Sequence, residues 1–203
     1  MDFETLPGKY TWVDEIEAWT VSVMRHRPTD ELVEIFGRGQ AEPLGDIAFA
    51  DVDRQRGPDT SAIELFLQIA QRGDISVTLE NNGWSGTFPE IARRCSAADG
   101  WFFSVNWNVH AAGFVTQAID GVVTARFESL YPLAPVVGEW ERRPGWAIGP
   151  DVEPDLAWQV CMALFEQQTK VEVRPEWLTE RRPTYRIPEP YSLYRDVEGA
   201  DRV

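Results

Sequence analysis

Cysteine is nearly missing from this chain: Cys95 and Cys161 are the only two among 203 residues, and they lie far apart. Each sits among apolar residues on a predicted helix, where a buried reduced thiol is the ordinary state. With no signal-peptide pattern over Met1 to Tyr10, this usage points to a cytoplasmic location. Histidine is equally scarce, and His26, His110 and the two cysteines show none of the short spacings that metal ligation uses. No metal or other cofactor is expected. Only Lys9 and Lys170 are lysines, and no glycine-rich loop ends in one, which excludes a phosphate-binding P-loop. A Gly-x-Ser-x-Gly nucleophile turn is also missing, since Gly83-Trp84-Ser85-Gly86 has its glycines misplaced. No apolar run approaches the roughly 20 residues that cross a bilayer, so a membrane protein is not expected.

What is abundant is acid. Asp and Glu number 33 against 19 Lys and Arg, a formal net charge of -14. Such a surface repels nucleic-acid phosphate and anionic lipid and attracts basic partners. The acids are dispersed rather than gathered in a tail, so solubility accounts for them as well as any partner does. Asp46, Asp51 and Asp53 lack the EF-hand pattern and read as a solvated acidic loop. Nine tryptophans and ten phenylalanines mark a chain that folds.

Periodicity supplies the elements. Trp19, Val21 and Val23 alternate with Thr20, Ser22 and Met24 as a first strand. Thr29 to Gly37 reads as a short helix with Leu32, Ile35 and Phe36 on its apolar face. The stretch 40–60 reads as an irregular connection with a short strand near Ile47 to Phe49. Residues 63–79 fit a helix, with Ser61 and Glu64 as a capping box, or a hairpin, and the hairpin is preferred. A loop of Gln71, Arg72 and Gly73 would set Ile69 against Ile75 and Leu67 against Val77. Glu80 to Gly86 is a dense turn signal, and Thr87 with Glu90 reads as a capping box for a helix burying Ile91, Ala92 and Cys95.

Trp101 to Phe127 reads as a three-strand meander with turns at Ala111-Ala112 and Asp120-Gly121. Its registers set Trp107 against Thr116 and Phe114 against Phe127, gathering the apolar residues on one face. Glu128 to Asp151, where prolines and glycines recur, reads as a long ordered loop. Leu156, Ala157, Val160, Cys161, Leu164 and Phe165 then recur at helical spacing and should lie on that apolar face. The expectation is one α+β domain over 1–203, a mostly antiparallel five- to six-stranded sheet with helices packed on one face. Its core spans about 11–178, residues 179–203 form an extended C-terminal tail, and the last residues from Glu198 fray.

Three stretches carry a resemblance: Leu79-Glu80-Asn81-Asn82-Gly83-Trp84-Ser85-Gly86, then Phe127 to Pro132, and Val173-Arg174-Pro175-Glu176-Trp177-Leu178. In this order they resemble an actinobacterial domain family of unknown function, over about two thirds of the chain. The resemblance implies a bacterial setting, which fits the arginine bias, and transfers no activity and no catalytic residue.

The second sheet face is the candidate site. Asn106, Asn108, His110, Gln117, Thr124 and Arg126 are donors and acceptors among apolar neighbours, and Trp84 at the turn tip is a candidate anchor. A solvated outer face and a Trp folded back onto the core are the competing accounts. No catalytic residue is assigned. The leading expectation is a non-catalytic domain that binds another protein, of basic character, such as an immunity- or antitoxin-like partner in a bacterial conflict system. An unrecognised enzyme or small-ligand-binding domain built around His110 is the alternative, and an acidic nucleic-acid mimic the second.

Overall fold

The alternating aromatic and branched residues form eight strands in the computed structural model, which describes residues 7–57, 63–110, 112–133, 141–148 and 152–203. The strands are β1 (Trp19–Arg25), β2 (Glu42–Ala48), β3 (Leu65–Arg72), β4 (Ile75–Asn81), β5 (Trp101–Trp107), β6 (Phe114–Ile119), β7 (Val122–Glu128) and β8 (Arg181–Ile187). They make one open sheet in the order β2-β8-β3-β4-β1-β5-β6-β7, and every neighbouring pair is antiparallel. The α+β class and the antiparallel sheet are as the sequence indicates. The strand count is not: the sheet has eight strands rather than five or six. The connection 40–60 yields a full edge strand, and the proline-rich stretch after 179 yields β8, which lies between β2 and β3.

Among the described residues four α-helices flank the sheet: α1 (Thr29–Gly37), α2 (Pro89–Ser96), α3 (Ala157–Thr169) and α4 (Pro190–Leu193). They do not share one face. Val21, Val23, Phe103, Val105, Trp107 and Phe127 pack with Cys161 and Phe165 of α3. Met24, Leu67, Ile69, Phe102 and Ala118 point the other way and pack with Leu32 and Phe36 of α1 and with Ile91 and Cys95 of α2. Strand β1 is accordingly buried at six consecutive positions. Covering both faces buries large rings such as Trp19, Phe102 and Trp107 completely. Each such side chain is worth on the order of 1.5–3 kcal/mol relative to exposure.

This double cover explains the register corrections. The β3–β4 hairpin exists, yet it turns through Gly73-Asp74 and sets Ala70 against Val77 and Arg72 against Ile75. Leu67 and Ile69 therefore serve the α1–α2 side while Val77 and Leu79 serve the α3 side. In the meander Val105 faces Val115 and Ser104 faces Thr116, so Thr116 stands across from Ser104, not Trp107. Strand β5 ends at Trp107, and Val109 is exposed rather than part of the core. The Asp120-Gly121 turn is as read: both residues have positive φ, and Ala118 faces Val123. Beyond it a bulge at Gln117/Ala118 sets Phe114 against Glu128 and Val115 against Phe127. The side-chain cap read from Thr87 does not form; Thr87 Oγ1 donates to the Trp84 carbonyl instead.

The end of the chain is held, not frayed. Ala200 is buried, its carbonyl accepts from the Glu90 N–H, and the Arg93 guanidinium donates to the carbonyls of Gly199, Ala200 and Arg202. The proposed Ser61 cap, Ala111 of the first meander turn, and residues 134–140 and 149–151 of the long loop lie outside the described residues.

Candidate functional site: a pocket at the end of β5

The Asn82–Thr87 segment lies across the α1–α2 side of the sheet, and its glycines let it lie close. A side chain at Gly83 would come within 2.7 Å of Glu80 Cβ, and one at Gly86 would overlap Ser22 Oγ. Beneath the segment, the fully buried Glu80 carboxylate accepts from the N–H groups of Ser85 and Gly86, both at 2.8 Å. Burial in this low-dielectric site pushes Glu80 up to about 7, against the pull of those two N–H donors. Asn106 lies beside it and gives its amide to Trp19 O, Thr20 Oγ1 and Gly83 O. Ser104 donates to Gly86 O.

The second face therefore holds some of the polar residues the sequence assigns to it, and these are covered rather than solvated. Asn106, Ser104 and Thr116 are buried under the 82–87 segment and α2. Asn106 is a structural clamp whose exposed role is confined to its edge of a pocket. Gln117 stands across from Phe103 and Ala125, so the shifted register turns it to the α3 side, where it accepts from Thr124 Oγ1 at 3.0 Å. Gln117 and Thr124 do not join the others.

The remaining five do come together. Trp84, Asn106, Asn108, His110 and Arg126 all line one pocket of about 380 Å³ at the end of β5. Asn108 shapes its rim: Oδ1 accepts from the N–H groups of His110 and Ala112 at 2.9 and 3.2 Å, holding the 108–113 loop. Trp84 is half-buried against the α1–α2 core and also lines the pocket. Phe88, Phe114 and Tyr191 complete the aromatic lining. The sequence did not single these out, because Phe114 was placed in the core by the wrong register and Tyr191 arrives from beyond β8. The run of tail aromatics was the one available signal.

Arg126 is the pocket's charged group. Its backbone is pinned by reciprocal 2.8 Å hydrogen bonds to Arg142, and its guanidinium lies 3.9 Å from the Phe114 ring centroid. Nε is buried without a hydrogen-bond acceptor among the described residues. Desolvation draws its pKa below the usual arginine range, while Tyr191 and Asp201 exert a weaker opposing pull. No Asp or Glu lines the pocket among the described residues. That is unusual ground in a chain with 33 acids.

No family model, curated protein or solved structure matches this chain. Nothing in these comparisons bears on the actinobacterial resemblance, and function has to be argued from geometry.

The rest of the described chain offers little chemistry. No group of three His, Cys, Asp or Glu side chains converges on a metal-sized site among the described residues. Asp51 and Asp53 of the acidic loop pair with Arg54 and Arg56. Cys95 and Cys161 are buried free thiols whose pKa is raised by desolvation, which suppresses the nucleophilic thiolate. No described helix is long and apolar enough to cross a membrane.

Proposed function

We propose that this chain is a non-catalytic recognition domain that binds another protein, and that the pocket at the end of β5 receives the partner's anchoring group. One observation carries the reading: a guanidinium held over Phe114, with no Asp or Glu among the described residues lining its pocket, between walls of aromatic rings. Aromatic and Arg side chains in partly enclosed pockets are where binding energy concentrates. The described lining has neither carboxylate nor cysteine, and the buried Glu80 carboxylate is engaged by two backbone donors, which favours binding over catalysis. The net charge of -14 favours encounter with a partner of basic character, whereas the pocket selects for an acidic group at contact.

The test is capture of a partner from host lysate at low salt by wild type, Arg126→Gln and Arg54→Gln. Arg54 is a largely exposed arginine in the acidic loop. A partner lost with Arg126→Gln and retained with Arg54→Gln supports the reading. No partner, or one indifferent to Arg126, sinks it. The narrower version, an immunity- or antitoxin-like role, expects the captured protein to be toxic alone and harmless when co-expressed with this chain.

A further inference from the structure

We infer that the pocket at the end of β5 takes an organic monocarboxylate carried on a flat apolar body. This deepens the reading of that pocket as the binding site. A guanidinium presents paired N–H donors in a plane that matches a carboxylate, and Arg126 lines the pocket. Its stacking on Phe114 and the backbone bonds to Arg142 fix the plane of that fork in advance. The charge count limits the ligand. Among the described residues Arg126 is the only Lys or Arg lining the pocket, and the chain's net charge is negative, so one negative charge is matched and a phosphate dianion is not. The volume of about 380 Å³ is ample for an aromatic ring carrying a short acidic arm. Trp84, Phe88, Phe114 and Tyr191 supply flat apolar surfaces for it, and the Phe88 and Tyr191 rings already meet edge to face at 5.0 Å between centroids.

Two sources share this chemistry, a free arylalkyl acid and the terminal residue of a polypeptide, and the probes separate them. Phenylacetate, phenylacetamide, phenyl phosphate, N-acetylphenylalanine and N-acetylphenylalanine amide are titrated against the full chain, read by saturation-transfer NMR and tryptophan fluorescence. Each acid is expected to bind about ten-fold or more tighter than its amide, as a charge-assisted hydrogen-bonded pair should. Arg126→Gln is expected to remove that preference. Tyr191→Ser, at an exposed ring outside the sheet, is expected to weaken both members of each pair several-fold and keep the preference, so the inference stays testable if Arg126→Gln does not fold. Tighter binding of N-acetylphenylalanine than of phenylacetate assigns the site to a chain terminus, and the reverse assigns it to a free acid. Equal binding of acid and amide, tighter binding of phenyl phosphate, binding unchanged in Arg126→Gln, or no binding of any probe overturns the inference. Partner capture that depends on Arg126 while no acid is preferred removes this inference alone. Acid preference without any captured partner removes the protein-partner reading alone.

Discussion

Glu80 ties the covering segment to the sheet, and it does so with a carboxyl group that water does not reach. Its folded pKa of about 7 stands above its ordinary 4.5, so the folded protein holds the proton more tightly than the unfolded chain. The stability linked to that proton is fully present below 4.5 and is lost as pH rises through 7. The difference corresponds to about 3 kcal/mol. Urea midpoints at pH 5 and pH 8 should therefore differ more for wild type than for Glu80→Gln, whose side chain cannot titrate. A wild-type slope that Glu80→Gln leaves intact would place the titration elsewhere. Because Gly83 and Trp84 belong to both the segment and the pocket, the same proton should also alter ligand affinity modestly across this range. At this scale the sequence was partly readable. Asn106, Asn108, His110, Arg126 and Trp84 were found by alternation and by a turn motif. Phe114 and Tyr191 were not, since their places depend on a strand register and on a distant chain segment.

Among the elements, turns and helix faces were legible and registers were not. Asp120-Gly121 declares its turn because both positions need positive φ, and α1, α2 and α3 declare their buried faces by spacing. The registers were chosen to collect apolar residues on a single face. A sheet covered on both sides gives no such signal, since Leu67 and Val77 are both buried while facing opposite ways. Strand β8 was hidden by Pro183, a residue that usually argues against an inner strand. Pairing with β3 covers only Thr184 to Ile187, so Pro183 meets β2 alone and its missing N–H leaves no gap in the β3 ladder. The opposite edge, β7, is closed by the Arg142 bridge, and the β2 edge carries Pro43 and a bulge near Gly45, features that deter pairing with another chain. Arg93 lies in the last turn of α2, and its guanidinium gathers the carbonyls of Gly199, Ala200 and Arg202. Arg93→Ala should leave those carbonyls without their donor, speed amide exchange over residues 197–203, and lower stability by about 1–2 kcal/mol. Exchange unchanged in that segment would mean that Ala200 packing alone holds it.

For the molecule as a whole, the sheet is assembled from distant parts of the chain. A chain ending at 180 lacks β8, leaving β2 without its only neighbour and β3 with an open edge. It should lose cooperative thermal unfolding and aggregate, which circular dichroism and size-exclusion chromatography would reveal; a monomer melting as the full chain does would show β8 to be dispensable. The acidic composition does not oppose this assembly, because many of the acids are neutralised locally, as Glu90 is by Arg93 and Arg94 and Glu166 by Lys9. Insertion of β8 also has a consequence in time. Gln68 and its partner Thr184 are 116 positions apart, and a ribosome adding about 5–20 residues each second needs roughly 6–20 s to travel between them. Throughout that wait a nascent hairpin of β3 and β4 must hang with one flank unzipped, so expression yield should hinge on how that ribbon is sheltered before its last companion emerges.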